Sequence, residues 1–198
     1  MAIIELAHVK LLGGISVSDS SLRQNMQKVT EVIEGYNHLK NLFYVEVEDP
    51  SVLYVIGAWQ SQEQHQRGFN GSAAQDKILE LVKDQMDVDW MYYIDVQQSK
   101  IPINAPVLEI RKYTLPSNTD KQIFNKTLAT ERQALEAQAE GSIGGWNLPK
   151  RDGEEAVWVQ FSGYKSVDDH VHTAGDNHAL QSLVEKIDVK HATRVYLP

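Results

Sequence analysis

The chain has no cysteine among its 198 residues, which removes disulfides, thiolate nucleophiles, Cys-ligated zinc and iron–sulfur clusters at once. Its chemistry must rest on oxygen and imidazole groups. Runs of basic residues are missing too: Lys and Arg number 19 against 27 Asp and Glu, the formal charge is −8, and the cations are scattered. That balance argues against nucleic acid and against an anionic membrane as partners. No apolar stretch approaches the roughly 18 residues that cross a bilayer. The opening segment MAIIELAHVK is short and charged for a secretory signal, so a cytoplasmic protein is expected. A P-loop, a Rossmann glycine pattern, a zincin helix and a serine elbow are also missing.

What is present describes a soluble globular chain, 42% hydrophobic and 23% charged, with room for one or two small domains. Proline is sparse, at six residues, and two of these, Pro102 and Pro106, fall together in residues 99–106. Paired prolines favour extended backbone, so this stretch reads as a linker between residues 1–98 and 107–198. The charge also changes there: residues 1–98 carry 7 Lys and Arg against 14 Asp and Glu, and residues 99–198 carry 12 against 13.

The same boundary divides a weak internal repeat. Ile4-Glu5-Leu6 recurs as Leu108-Glu109-Ile110, and Leu11 as Leu115, at a shift of 104 residues; Trp59-Gln60-Ser61 recurs as Tyr164-Lys165-Ser166, and His65 as His170, at a shift of 105. Each copy gives one element order. In the first, a strand over 3–11 precedes a helix that opens on the capping-box pattern Ser21-x-x-Gln24 and carries Leu22, Met26, Val29, Ile33 and Tyr36 along one face. Strands at 42–47 and 52–59 follow, joined by a turn at 48–51, then helical stretches from 61 and over 73–82, then a strand at 90–96. In the second, strands are expected at 107–114, 143–148, 156–164 and 191–197, with a turn at Arg151-Asp152-Gly153. Its helices are expected from Thr119 to about 139, and over 166–171 and 177–187. The order βαββαβ, given twice, is that of two fused ferredoxin-like repeats, and the fold class expected is α+β. Each sheet has a second face to cover, which a fused copy would do by closing a pseudo-dimeric α+β barrel.

On this arrangement and one local pattern, the chain resembles the dimeric α+β barrel superfamily, and within it the antibiotic biosynthesis monooxygenase-like proteins, in tandem-repeat form. The pattern is an aromatic residue ending the third strand, a Ser two positions later, and a His six positions after the aromatic. It stands as Trp59-Gln60-Ser61-Gln62-Glu63-Gln64-His65 and as Tyr164-Lys165-Ser166-Val167-Asp168-Asp169-His170. The resemblance implies a cofactor-independent enzyme of secondary metabolism. The activity implied is that of a monooxygenase acting on a small aromatic, polyketide-like substrate, with a cyclase, isomerase or decarboxylase, or a non-catalytic binding module, as alternatives. It also implies a pseudo-dimer within one chain and leaves a further homodimer open. A substrate-positioning strand amide four residues before the aromatic would fall on Val55 or Gln160.

Alternation along the third strands separates the two copies. Trp158, Gln160, Ser162 and Tyr164 share one face, mixing aromatic and hydrogen-bonding groups, whereas the matching face of the first copy is Leu53, Val55, Gly57 and Trp59. The second copy is therefore expected to hold the working site. His170 is the candidate base, with Gln160 and Tyr164 beside it. Trp158, Trp146, Arg111 and Arg194 are candidate substrate contacts, with Trp59 and His65 in the first copy. An aromatic face of this kind also arises as plain core whose polar tips find partners, and a His at a helix start often caps or packs. Asp168-Asp169-His170-Val171-His172 places acids beside imidazoles, but His170 and His172 point apart on a helix and only Asp168 and His172 share a face. It reads as a solvated helix start, and no metal site is expected.

Overall fold

The computed structural model describes residues 2–117, 119–135, 139–149, 154–171 and 178–197, without the side chains of 131–135, 170, 171 and 178. The chain divides into two compact units: residues 1–98 with Ala192–Pro198, and residues 99–191. The final residues, read from the sequence as part of the second repeat, thus group with the first unit.

The first unit is built on strand β1 (Ile3–Leu11), six of whose nine residues are buried. It lies between β3 (Val52–Trp59) and β4 (Met86–Ile94), pairing antiparallel with both. Strand β2 (Asn41–Glu46) flanks β3, and the end of β8 (Lys186–Val195) flanks β2. Helix α1 (Ser20–Asn37) is started by Asp19, whose carboxylate accepts from the Ser21 amide, and stopped by His38 in the left-handed region at φ 60°. The side chain that satisfies an exposed helix amide is therefore Asp19 rather than Ser21. α1 buries Leu22, Met26 and Val29 at steps of four and three, against Ala7, Val9, Leu11, Phe43 and Leu53 of the sheet. Burying each such side chain contributes about 1.5–3 kcal/mol.

A π-helical turn, Gln64–Phe69, follows β3, its register marked by the Asn70 amide bonding the His65 carbonyl at 2.9 Å. Gly71 then turns the chain at φ 77°, a left-handed value that glycine adopts without strain. Helix α2 (Ala73–Val82) starts at Ser72, whose hydroxyl accepts from the Gln75 amide. It adds Ile78, Leu81 and Val82 to the cluster without burying any residue fully. β4 begins four residues before the expected 90, because Met86, Asp87 and Val88 pair with Leu11, Lys10 and Val9. Asp87 and Asp89 masked that strand signal, and pairing with β1 decides it.

The second unit has the same element order. Strand β5 (Val107–Leu115) pairs antiparallel with β7 (Ala156–Tyr164), which pairs with β6 (Ser142–Leu148), and β8 lies on the other side of β5. Helix α3 (Lys121–Leu135) buries Phe124 and Leu128. Two short helices follow, α4 (Val167–Val171) and α5 (His178–Gln181). The helix expected over 177–187 is cut to one turn. Leu180 anchors it in the core, and the Glu185 amide bonds the Thr114 carbonyl at 2.9 Å, drawing the chain onto β5. The expected turn at Arg151-Asp152-Gly153, and His172, lie outside the described residues.

Candidate functional site

Strand register sets the floor of a site in the first unit. Across four neighbouring strands, Tyr93, Glu5, Gly57 and Asn41 stand in one row, followed by a row of Met91, Ala7, Val55 and Phe43. The first row is polar and the second apolar. Gly57, at the centre of the polar row, adds no side chain, and Ala7 and Val55 add little. The helices bridge over these small residues on Met26, Val29, Ile33, Ile78 and Val82, enclosing a cavity of about 600 Å³. That size suits a drug-sized ligand. Its polar end is buried, with Trp59 2%, His65 5% and Asn41 7% exposed, while Leu79 and Val88 at its other end are exposed.

The π-helical turn delivers His65 to the polar end. The imidazole packs in a triangle with two aromatic rings, its centroid 4.2 Å from Trp59 and 5.4 Å from Phe69, which are 5.0 Å from each other. Its Nδ1 is 2.5 Å from the Tyr93 hydroxyl and 3.0 Å from Glu5 Oε2. Burial and the negative charge of Glu5 push the Tyr93 phenol well above its ordinary pKa. Tyr93 therefore keeps its proton, and its hydroxyl can donate to Nδ1 or accept from it. Glu5 sits 3.0 Å from the ring, placed to stabilise an imidazolium. In the tautomer that carries its proton on Nδ1, that N–H faces the Tyr93 oxygen and the Glu5 carboxylate, and Nε2 is the nitrogen that can take a proton.

At positions a near-constant shift away in the second unit, Ala7, Val55 and Gly57 are answered by the larger Arg111, Gln160 and Ser162. There the rows are Glu109, Ser162 and Ser142, then Arg111, Gln160 and Gly144, then Tyr113, Trp158 and Trp146. Arg111 Nε donates to Glu109 Oε1 at 2.9 Å, and both side chains are buried. Burial works against the guanidinium charge, but Glu109 and Tyr113 outweigh it and hold the Arg111 pKa above its usual value. Gln160 Nε2 donates to the Ser142 hydroxyl at 3.2 Å. Trp158 and Trp146 meet edge to face at 5.3 Å and pack with Phe124 and Tyr113. Tyr164 is buried. Trp158 lies so close over Gly144 that an added Cβ would come within 2.6 Å of the indole.

The expected site residues therefore divide. Trp59 and His65 come together on the cavity of the first unit. Trp158 and Trp146 join an aromatic core, Arg111 is engaged by Glu109, and Gln160 is engaged by the paired serines. Arg194 stacks over Tyr44 and Tyr196 in the first unit. The side chain of His170 lies outside the described residues. Glu5, Tyr93 and Asn41 were not singled out from sequence. The signal for Glu5 was available, since a carboxylate inside the apolar run Ile3-Ile4-Glu5-Leu6-Ala7 has to be accounted for. Tyr93 and Asn41 join it only through strand register.

No family model and no curated protein matches the sequence. Solved structures do match. A candidate monooxygenase from Fusobacterium nucleatum is 12% identical, with 98% of this chain and 93% of that chain covered at a TM-score of 0.63. An anthrone oxidase-like protein is 12% identical, with 98% and 92% covered at 0.61. A chlorite dismutase variant from Candidatus Nitrospira defluvii is 9% identical, with 99% and 91% covered at 0.64. At such identities the likeness is one of fold alone.

Proposed function

We propose that the chain is a cofactor-independent enzyme that removes a proton from a small aromatic, polyketide-like substrate in the first-unit cavity, and that it acts as a monooxygenase. The observation that carries this reading is His65, buried at the polar end of an apolar cavity with Nδ1 held by Tyr93 and Glu5. In this reading Nε2 takes a proton from an enolisable carbon, the imidazolium is stabilised by Glu5, and the apolar walls exclude water from the carbanion. The electron-rich enolate reduces dioxygen. One oxygen atom enters the substrate as a new carbonyl and the other leaves as water, so a methylene and dioxygen give a ketone and water. The fold likeness to an anthrone oxidase-like protein supports this choice. The shared element order of the two units supports a duplicated origin, with the second unit's aromatic and ion-paired floor serving stability.

The test is oxygen consumption with anthrone as probe substrate, corrected for its uncatalysed oxidation, in wild type and His65→Gln. Turnover that needs both oxygen and His65 is expected. His65-dependent turnover under strict anaerobiosis would replace the oxygenase reading with an isomerase, cyclase or decarboxylase, since the same base can move a proton without oxygen. No turnover by the folded protein in either atmosphere would overturn the enzymatic reading.

A further inference from the structure

The cavity changes character along its length. It runs along β1 from Glu5 to Val9 and along α2 from Gln75 to Lys83. Those stretches correspond to about 13 Å of strand and about 12 Å of helix, so the space is a channel between the sheet and two helices. Its aromatic residues, Trp59, Phe69 and Phe43, stand at the polar end or in the row next to it. Beyond Val55 the lining turns aliphatic, with Val9, Met86 and Val88 from the strands and Met26, Ile78 and Val82 from the helices. Among the described residues, the polar side chains on that outer stretch are Lys83 and Asp87, both exposed at the rim.

A register shift in β4 makes this outer end apolar. His8 pairs with Trp90, but Val9 pairs with Val88 and Leu11 with Met86. Had the first pairing continued, Asp89 would stand opposite Val9 and Asp87 opposite Leu11, on the strand face that lines the channel. The bulge instead makes Asp89 the extra residue. Its carboxylate turns to the opposite face, where Oδ1 accepts from Lys10 Nζ at 3.1 Å and Oδ2 lies 3.3 Å from His8 Nδ1. Val88 and Met86 take the places that two acids would have held.

We propose that this outer half of the channel holds an alkyl chain of the ligand, and that Val88 and Met86 are the residues that select it. This rests on the reading that the first-unit cavity is the ligand site, and it adds an aliphatic tail to the aromatic head of that reading. An aromatic tail would find no ring to pack against there. A polar tail would lose its water and gain no buried hydrogen-bonding side chain. Branched side chains and flexible methionines, by contrast, mould around methylenes. The end of the chain would also cover Leu79 and Val88, which are 54% and 58% exposed at the mouth.

The tail site is tested by calorimetric binding of para-ethyl-, para-butyl-, para-hexyl- and para-octylphenol, which share a head and differ in chain length. In wild type, affinity should rise about two- to fourfold per added methylene. Val88→Asp should weaken para-octylphenol about tenfold or more and leave para-ethylphenol, whose chain ends short of Val88, within about twofold. Val88→Thr should give a smaller loss of the same kind, and Val88→Ile should keep the full rise; if Val88→Asp does not fold, the Thr and Ile pair carries the comparison. Affinity that is flat across the series in wild type, including failure of every member to bind, would overturn the tail site. So would a rise that the polar variants leave intact, or a loss shared equally by para-ethylphenol. A rise lost in the polar variants of a protein with no His65-dependent turnover would sink the enzymatic reading and leave the tail site standing. His65-dependent turnover with no dependence of binding on chain length would do the reverse.

Discussion

Replacing His65 separates a catalytic imidazole from one that merely packs. Its ring is buried against Trp59 and Phe69 at centroid distances of 4.2 and 5.4 Å, so His65→Ala costs packing as well as chemistry. Large-to-small truncation of this kind costs about 2–4 kcal/mol. At roughly 2–4 °C per kcal/mol for a chain of this length, the variant should melt about 4–16 °C below wild type. Since native stabilities lie near 5–15 kcal/mol, most of the protein stays folded at 25 °C and unfolding cannot remove two decades of rate. A positioned general base contributes about 10²- to 10⁴-fold, equivalent to roughly 3–5.5 kcal/mol of barrier. His65→Gln sharpens the comparison. Its amide can still meet the Tyr93 hydroxyl but cannot take a proton, so it should lose the same rate with a smaller change in melting temperature. The assay is oxygen uptake with anthrone at 25 °C, alongside thermal melts of both variants and of His170→Ala, which should stay within about threefold of wild type. A folded His65→Gln enzyme within tenfold of wild type would refute the base. Loss of turnover confined to His170→Ala would move the site to the second unit.

Tyr93 titrates above its ordinary value of about 10 because burial and Glu5 oppose the phenolate. A raised folded-state pKa gives stability that is fully present below the unfolded value and lost as pH rises beyond it. Wild type should thus lose denaturant stability above about pH 10 more steeply than Tyr93→Phe, and parallel curves would refute this. In the second unit, Trp158→Ala should cost about 3–5 kcal/mol by hollowing the Trp146 and Phe124 cluster, whereas Leu79→Ala at an exposed position should stay within about 0.5 kcal/mol; chemical denaturation decides. Glu109→Ala leaves the Arg111 charge buried and should cost about 3–5 kcal/mol. The double replacement Glu109→Met with Arg111→Met should recover most of that loss, and additive losses would argue against the pair.

The sequence carried more of the fold than of the site, for a physical reason. Elements are written in local periodicity: α1 could be read from Leu22, Met26 and Val29, and β3 from its alternation and the turn before it. The expected start of β4 at 90 missed Met86–Asp89, because those residues become a strand only by pairing with Val9–Leu11. The polar row is one step further removed. Tyr93, Glu5, Gly57 and Asn41 come from four strands and meet only through register, which no spacing along the chain records. Residue type alone does not record where a strand face encloses space. Trp158, Gln160 and Tyr164 look like a pocket because they mix aromatic and polar groups, yet large side chains fill space. The space in the first unit exists because Ala7, Val55 and Gly57 are small.

The π-helical turn that carries His65 and Phe69 holds one more residue per turn than an α-helix. Deleting Gln66 would let the segment relax to ordinary helix and rotate everything after it by about 100° relative to what precedes it. Phe69 would swing off the imidazole, and the Gly71 turn would deliver α2 to a different part of the sheet. A single-codon loss could therefore reshape one wall of the cavity while the residues of the polar row stayed where they are. For related chains, length variation between residues 64 and 69 is then the change most apt to alter which ligands fit.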